Sequence, residues 1–158
     1  MQKLKLEAFS CQYPDEYRLM NSQELQAFFA GRQNRTGIRC EDKHVIVSVA
    51  SAKPGLLYLF SSNAAVLKGA EKGLTRTLKD YRRLETFEQT VGGCDACCLR
   101  FEYTATSEPI AQYGELWVMK YQKKIFSVFY ISRKELNSQN LPVFQEMMKS
   151  AAFDAAQE

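Results

Sequence analysis

Histidine is almost absent from this sequence. One residue, His44, stands alone among 158, so imidazole chemistry has a single candidate. Placed in or beside a strand, it reads as a surface or hydrogen-bonded histidine. The nucleophile elbow, the phosphate loop, the dinucleotide fingerprint and the HExxH zinc pattern are all missing. So are long apolar runs, since no stretch approaches the length of a membrane span. The opening Met1-Gln2-Lys3-Leu4-Lys5-Leu6 has neither the apolar core nor the cleavage site of a signal peptide. Charge of one sign is scarce as well. Lysine and arginine number 21 against 18 acidic residues, a net +3, which is too little to imply nucleic acid. With no repeats, no low-complexity runs and no linker, one domain over residues 1–158 is expected.

What is present points to a packed core. Hydrophobic residues make up 46% of the chain and charged ones 25%, so it is neither disordered nor a membrane protein. Phenylalanine and tyrosine dominate the aromatics and favour strands. The five cysteines, Cys11, Cys40, Cys94, Cys97 and Cys98, are odd in number, with three crowded at 94–98. Free thiols in a reducing compartment are the simpler reading, and a cytoplasmic location follows. A chain that had lost a leader would be secreted or lipid-anchored instead.

Periodicity supplies the elements. Residues 4–20 read as two short strands around Pro14-Asp15-Glu16. Asn21, with Glu24 three residues on, has the pattern of a capping box for a helix carrying Leu25, Phe28 and Phe29, stopped by Gly31. A hairpin follows, Ile38 to Glu41 and His44 to Ala52, ended by Pro54-Gly55. Leu67, Ala70, Leu74, Leu78 and Tyr81 recur at helical spacing and predict a long helix from about Asn63 to Leu84. Gly69 and Gly73 within it cost about 1 kcal/mol each relative to alanine, and their spacing suits close approach of another element. Beyond lie strands over 86–91 and 97–103, a turn at Gly92-Gly93, and a hairpin from Tyr113 to Ser132 about Lys123-Lys124. Both faces of that hairpin are apolar, which places its strands centrally. A last helix starts with Pro142 in its first turn and turns Phe144, Met147, Met148 and Ala151 inward. The fold class expected is α+β: a central antiparallel β-sheet covered by helices, an α/β/α sandwich.

Three groups of residues sharpen this. Phe9-x-x-x-Tyr13-Pro14-x-x-Tyr17 resembles the opening of the PsbP-like family, of the Mog and PsbP type. Gly92-Gly93 followed by Leu99-x-Phe101-x-Tyr103 is similar to its turn and strand after the long helix. The closing hairpin with Leu141-Pro142-x-Phe144 is similar to its last strand and helix. The resemblance covers residues 4–150, is that of a bacterial-type member, and rests on structural residues. It implies a fold whose members bind other proteins, among them a photosystem subunit, a nuclear import factor that binds the Ran GTPase, and secretion-effector chaperones.

Four constellations bear on function. Lys68, Lys72, Arg76, Lys79 and Arg83 are spaced to line one side of the long helix. Residues 68–83 hold six basic and two acidic side chains, so this segment accounts for the whole chain's positive balance. A ridge of this kind suits an acidic protein, lipid head groups or phosphates. The plainer reading is a solvated helix face, and the lack of interleaved aromatics disfavours nucleic acid. Cys94-Asp95-Ala96-Cys97-Cys98 contains a CxxC, but it leads into a strand rather than a helix, and Asp95 opposes thiolate formation. Cys40 and His44 with Cys94 and Cys97 would make a zinc set only if their two turns lay side by side. Arg100 and Glu102 share one strand face and read as cross-strand charge pairing. No catalytic residue, metal or cofactor is assigned. The leading reading is a non-enzymatic protein-binding, adaptor or chaperone-like module. The alternative is a binder of an anionic surface through the basic helix, and a third is a thiol or zinc protein through Cys94–Cys98.

Overall fold

The structure, a computed structural model, describes residues 1–29, 34–53, 55 and 61–154. Gly31 and Pro54 lie outside them. In chain order the elements are β1 (Gln2–Leu6), β2 (Phe9–Tyr13), β3 (Arg18–Leu19), α1 (Ser22–Phe28), β4 (Asn34–Cys40), β5 (Val45–Ala52), α2 (Asn63–Thr77), β6 (Lys79–Val91), β7 (Cys94–Thr104), β8 (Ala111–Tyr121), β9 (Lys124–Arg133), α3 (Asn137–Lys149) and β10 (Ala152–Phe153). Seven strands form an antiparallel sheet in the order β3-β4-β5-β9-β8-β7-β6, and β1-β2-β10 form a second, small one.

Burial explains the order. Val45 to Ala50 of β5 are buried on both faces, as a strand needs to be when it sits inside a two-sided sheet. One face of the large sheet carries Val45, Val47, Val49, Trp117, Phe126, Val128 and Tyr130. These pack against Leu4, Phe9 and Cys11 of the small sheet and against Phe144 and Met147 of α3. The opposite face carries Leu99, Phe101, Leu116 and Val118, covered by Leu67 of α2. The α+β sandwich expected from the sequence is therefore the architecture observed. Asn21 caps α1 in a full capping box with Glu24, and Gly92 and Gly93 turn the β6–β7 hairpin with φ of 55° and 83°, a region glycine enters without penalty.

The long helix is shorter than its spacing implies. It ends at Thr77, and Leu78 closes it by donating its N–H to Leu74 O at 2.9 Å. Tyr81 still reaches the same core cluster as Leu74 and Leu78, but from β6, so a helix and the strand after it together mimic one helical stripe. The strand expected at 86–91 accordingly begins at Lys79. Gly69 and Gly73 face open space, and no element among the described residues uses the approach they offer. Pro142 stands inside α3 rather than in its first turn. Pro142 and Ser138, whose carbonyl loses its donor, are both exposed, so water can serve that carbonyl. The β8–β9 turn falls on Gln122-Lys123, both at positive φ, one residue before the expected pair. Strand β1, whose Leu4 and Leu6 alternate inward, was not anticipated.

Candidate interaction site

The five cations do not share one helix. Lys68, Lys72 and Arg76 sit four residues apart on one side of α2 and are exposed. Lys79 opens β6, and Arg83 lies farther along it. None of Lys68, Lys72, Arg76 or Lys79 forms an ion pair among the described residues. Arg83 is different. Its Nε donates to Glu71 Oε2 at 2.7 Å and its Nη2 donates to Oε1 of the same carboxylate. The Tyr81 hydroxyl donates to Glu71 Oε2 at 2.8 Å. Glu71 is 8% exposed, so Arg83 neutralises a buried carboxylate and is withdrawn from the free set. Of the five, four therefore form no ion pair among the described residues, on α2 and at the head of β6.

This pairing has a pH signature. The Arg83 guanidinium holds the Glu71 carboxyl below its ordinary value of 4.5, against the opposing effect of burial. A carboxylate depressed in the folded state stabilises the protein fully above its unfolded value and ceases to do so as pH falls through the folded one. Arg18 likewise holds Glu24 at about 2. Stability is expected to fall as pH drops below about 4.5, and Glu71→Gln should flatten part of that decline. Urea unfolding at a series of pH values checks it, and an unchanged acid limb in the variant would refute the assignment.

Between α2 and β6 runs a cleft of about 450 Å³. Leu67 and Leu99 form its floor, Lys68 and Arg83 its basic rim, and Thr86 and Glu88 its far lip. Lys68 and Arg83, two of the five cations expected on one helix, both line this cleft, from two elements.

The cysteine readings fare differently. All five thiols are free. Cys94 packs toward the face shared with α3 and Cys97 toward the face under α2, because residues three apart on a strand point opposite ways. The CxxC therefore cannot close on itself. Burial first, then Asp95, raises the Cys94 thiol; burial, Glu88 and Asp95 raise Cys97; burial alone pushes Cys11 up to about 12. These are poor nucleophiles. The four-ligand metal reading also fails on geometry. Cys40 and His44 bound the β4–β5 turn, at the end of the sheet where β7 finishes, whereas Cys94 and Cys97 lie where β7 begins. Among the described residues no group of three candidate ligands forms.

One cluster escaped the sequence. Glu115 is fully buried. Its Oε2 accepts from Arg100 Nε at 2.9 Å and from the Tyr113 hydroxyl at 2.6 Å, and its Oε1 accepts from Trp117 Nε1 at 2.9 Å. Arg100 also bonds Glu85 and lies 4.3 Å from the Phe87 ring centroid. Glu102 pairs with Arg82 and Lys134. The cross-strand charge pattern read for Arg100 and Glu102 is thus observed. The two-residue alternation of Tyr113, Glu115 and Trp117 was the available signal for the buried partner.

No family profile matches the chain, and no curated protein matches it in sequence. Solved structures do match in shape. The solution structure of cyanobacterial PsbP (CyanoP) from Synechocystis sp. PCC 6803 superposes with a TM-score of 0.70 at 9% identity, over 97% of this chain and 92% of that one. The Saccharomyces cerevisiae Ran-binding protein Mog1p gives 0.61 at 9% identity, over 96% and 94%. The Pseudomonas aeruginosa protein PA94 gives 0.59 at 8% identity, over 95% and 94%. At such identities the likeness is one of fold alone, and the fold that the sequence resembled and these structures share, that of PsbP and Mog, is the fold of this chain.

Proposed function

We propose that this chain is a non-enzymatic module that binds another protein through the face built by α2 and the head of β6. The observation that carries this is the set of four exposed cations, Lys68, Lys72, Arg76 and Lys79, that form no ion pair among the described residues, with Lys68 on the rim of a cleft floored by Leu67 and Leu99. Unpaired surface charge over an apolar floor suits an acidic protein surface, where charge steers encounter and apolar contact holds the complex. Mog1p, one of the chains of like fold, is described as a Ran-binding protein, and a protein partner here is consistent with that. Five free thiols suit a cytoplasmic setting. The anionic-surface reading uses the same cations, with lipid head groups or phosphate in place of protein. No described helix is long and apolar enough to span a membrane.

Reversing Lys72, Arg76 and Lys79 to glutamate separates these from a merely solvated face. Each exposed change should alter stability by no more than about 0.5 kcal/mol, so circular dichroism and melting stay close to the wild type. Affinity purification from the native source, with wild-type and variant protein side by side, should lose its partner in the variant. Equal recovery by both would refute the reading. Retention on anionic vesicles, with no protein recovered, would favour the lipid alternative.

A further inference from the structure

Strand β6 is the last strand of the seven-stranded sheet, and nearly all its residues are exposed. Its first half is irregular, with register shifts between Lys79 and Arg82 and between Arg83 and Glu85. From Glu85 to Val91 it pairs residue for residue with Arg100 to Cys94. Bulges and charge are how proteins blunt an open edge, and here the bulges stop where the regular run begins.

Clefts lie on both sides of that regular run. Facing α2, Glu88 and Asp95 border a cleft of about 360 Å³ with Cys97. Neither carboxylate is ion-paired among the described residues. Facing α3, Gln89 borders a cleft of about 290 Å³ with Trp117 and Met148. An added strand sends alternate side chains to opposite faces, and edge addition draws affinity from main-chain bonds and selectivity from such alternate pockets.

We propose that Glu85–Val91 is a docking edge for an extended strand of a partner protein, one that alternates a basic side chain toward Glu88 and Asp95 with an apolar side chain toward Trp117 and Met148. Charge selects this occupant over a second copy. Of the two charged residues in the regular run, Glu85 is held by Arg100 and Glu88 forms no ion pair among the described residues, so two copies paired antiparallel over its whole length would set Glu88 against Glu88 with no cation between them. The inference deepens the protein-binding reading, on which it rests: the partner whose acidic surface meets the cations of α2 would lay a basic and apolar strand along β6.

The test uses the full chain with short capped peptides that alternate valine with lysine, or valine with glutamate. Fluorescence anisotropy reads affinity, and amide hydrogen exchange reads protection across residues 85–91. The lysine peptide should bind and slow exchange there, the glutamate peptide should bind at least about tenfold more weakly, and Glu88→Lys should reverse the preference. Absence of protection along β6, or binding indifferent to charge, overturns the proposal. So does a chain that sediments as a dimer with β6 amides already slow in the absence of peptide. A native partner that binds when neither peptide does also overturns it, and leaves the protein-binding reading standing.

Discussion

Arg100→Ala is expected to destabilise the protein by about 3–5 kcal/mol, because it leaves the Glu115 carboxylate buried without its cation. Few single substitutions reach that size, and a domain of this kind holds only about 5–15 kcal/mol in total. Glu115 retains its bonds from Tyr113 and Trp117, but neither brings a charge. The reverse change, Glu115→Leu, leaves Arg100 with Glu85 and with the Phe87 ring, and Arg100 keeps 28% of its side chain exposed. This change leaves no charge buried alone, but the Tyr113 hydroxyl and Trp117 Nε1 lose their acceptor, at about 1–3 kcal/mol each. In the double variant Arg100→Ala/Glu115→Leu the desolvated pair is gone. Its loss should be smaller than the sum of the two single losses, and urea unfolding of the set measures it. Additive losses would show that the pair has no energetic coupling.

Phe101→Ala should cost about 3–5 kcal/mol, the range for emptying a buried aromatic site. Phe101 is fully buried, stacks on Tyr81 with centroids 5.5 Å apart, and meets Phe129 edge-on at 5.9 Å. Its ring lies across Gly114, its cross-strand partner, where a Cβ would sit 2.4 Å from the ring. Gly114→Ala should thus cost about 1–3 kcal/mol by overpacking. In a Phe101→Leu background that cost should shrink, since the ring atoms that clash are gone. Equal penalties in both backgrounds would mean that the glycine is needed for some other reason.

The sequence was most legible where a signal is local. Asn21 and Glu24 announce their capping box three residues apart, and Gly92-Gly93 announce their turn. Both faces of β8 read as apolar because both are buried, and the second face of β9 is half-buried. The legible part fails where one periodicity runs into another. Leu78 and Tyr81 extend a helical spacing that belongs partly to a strand, so a ridge of five cations on one helix becomes three on α2, one at the head of β6, and Arg83 bound to Glu71. Nothing local in the sequence reveals that Glu71 is buried where β6 folds back over it. The same non-locality hid Glu115, whose partner Arg100 comes from the neighbouring strand. Lys68 and Arg83 come together for a reason the sequence did not contain: α2 and β6 pack side by side.

The central claim is that the face formed by α2 and β6 meets another protein. Amide hydrogen exchange on the chain, alone and in the complex recovered from its native source, tests this most directly. The account predicts slowed exchange in residues 63–91 on binding, with α1 and the three-stranded sheet unchanged. Protection confined to α1, to α3 or to the β1-β2-β10 sheet, with residues 63–91 exchanging as in the free chain, would contradict it.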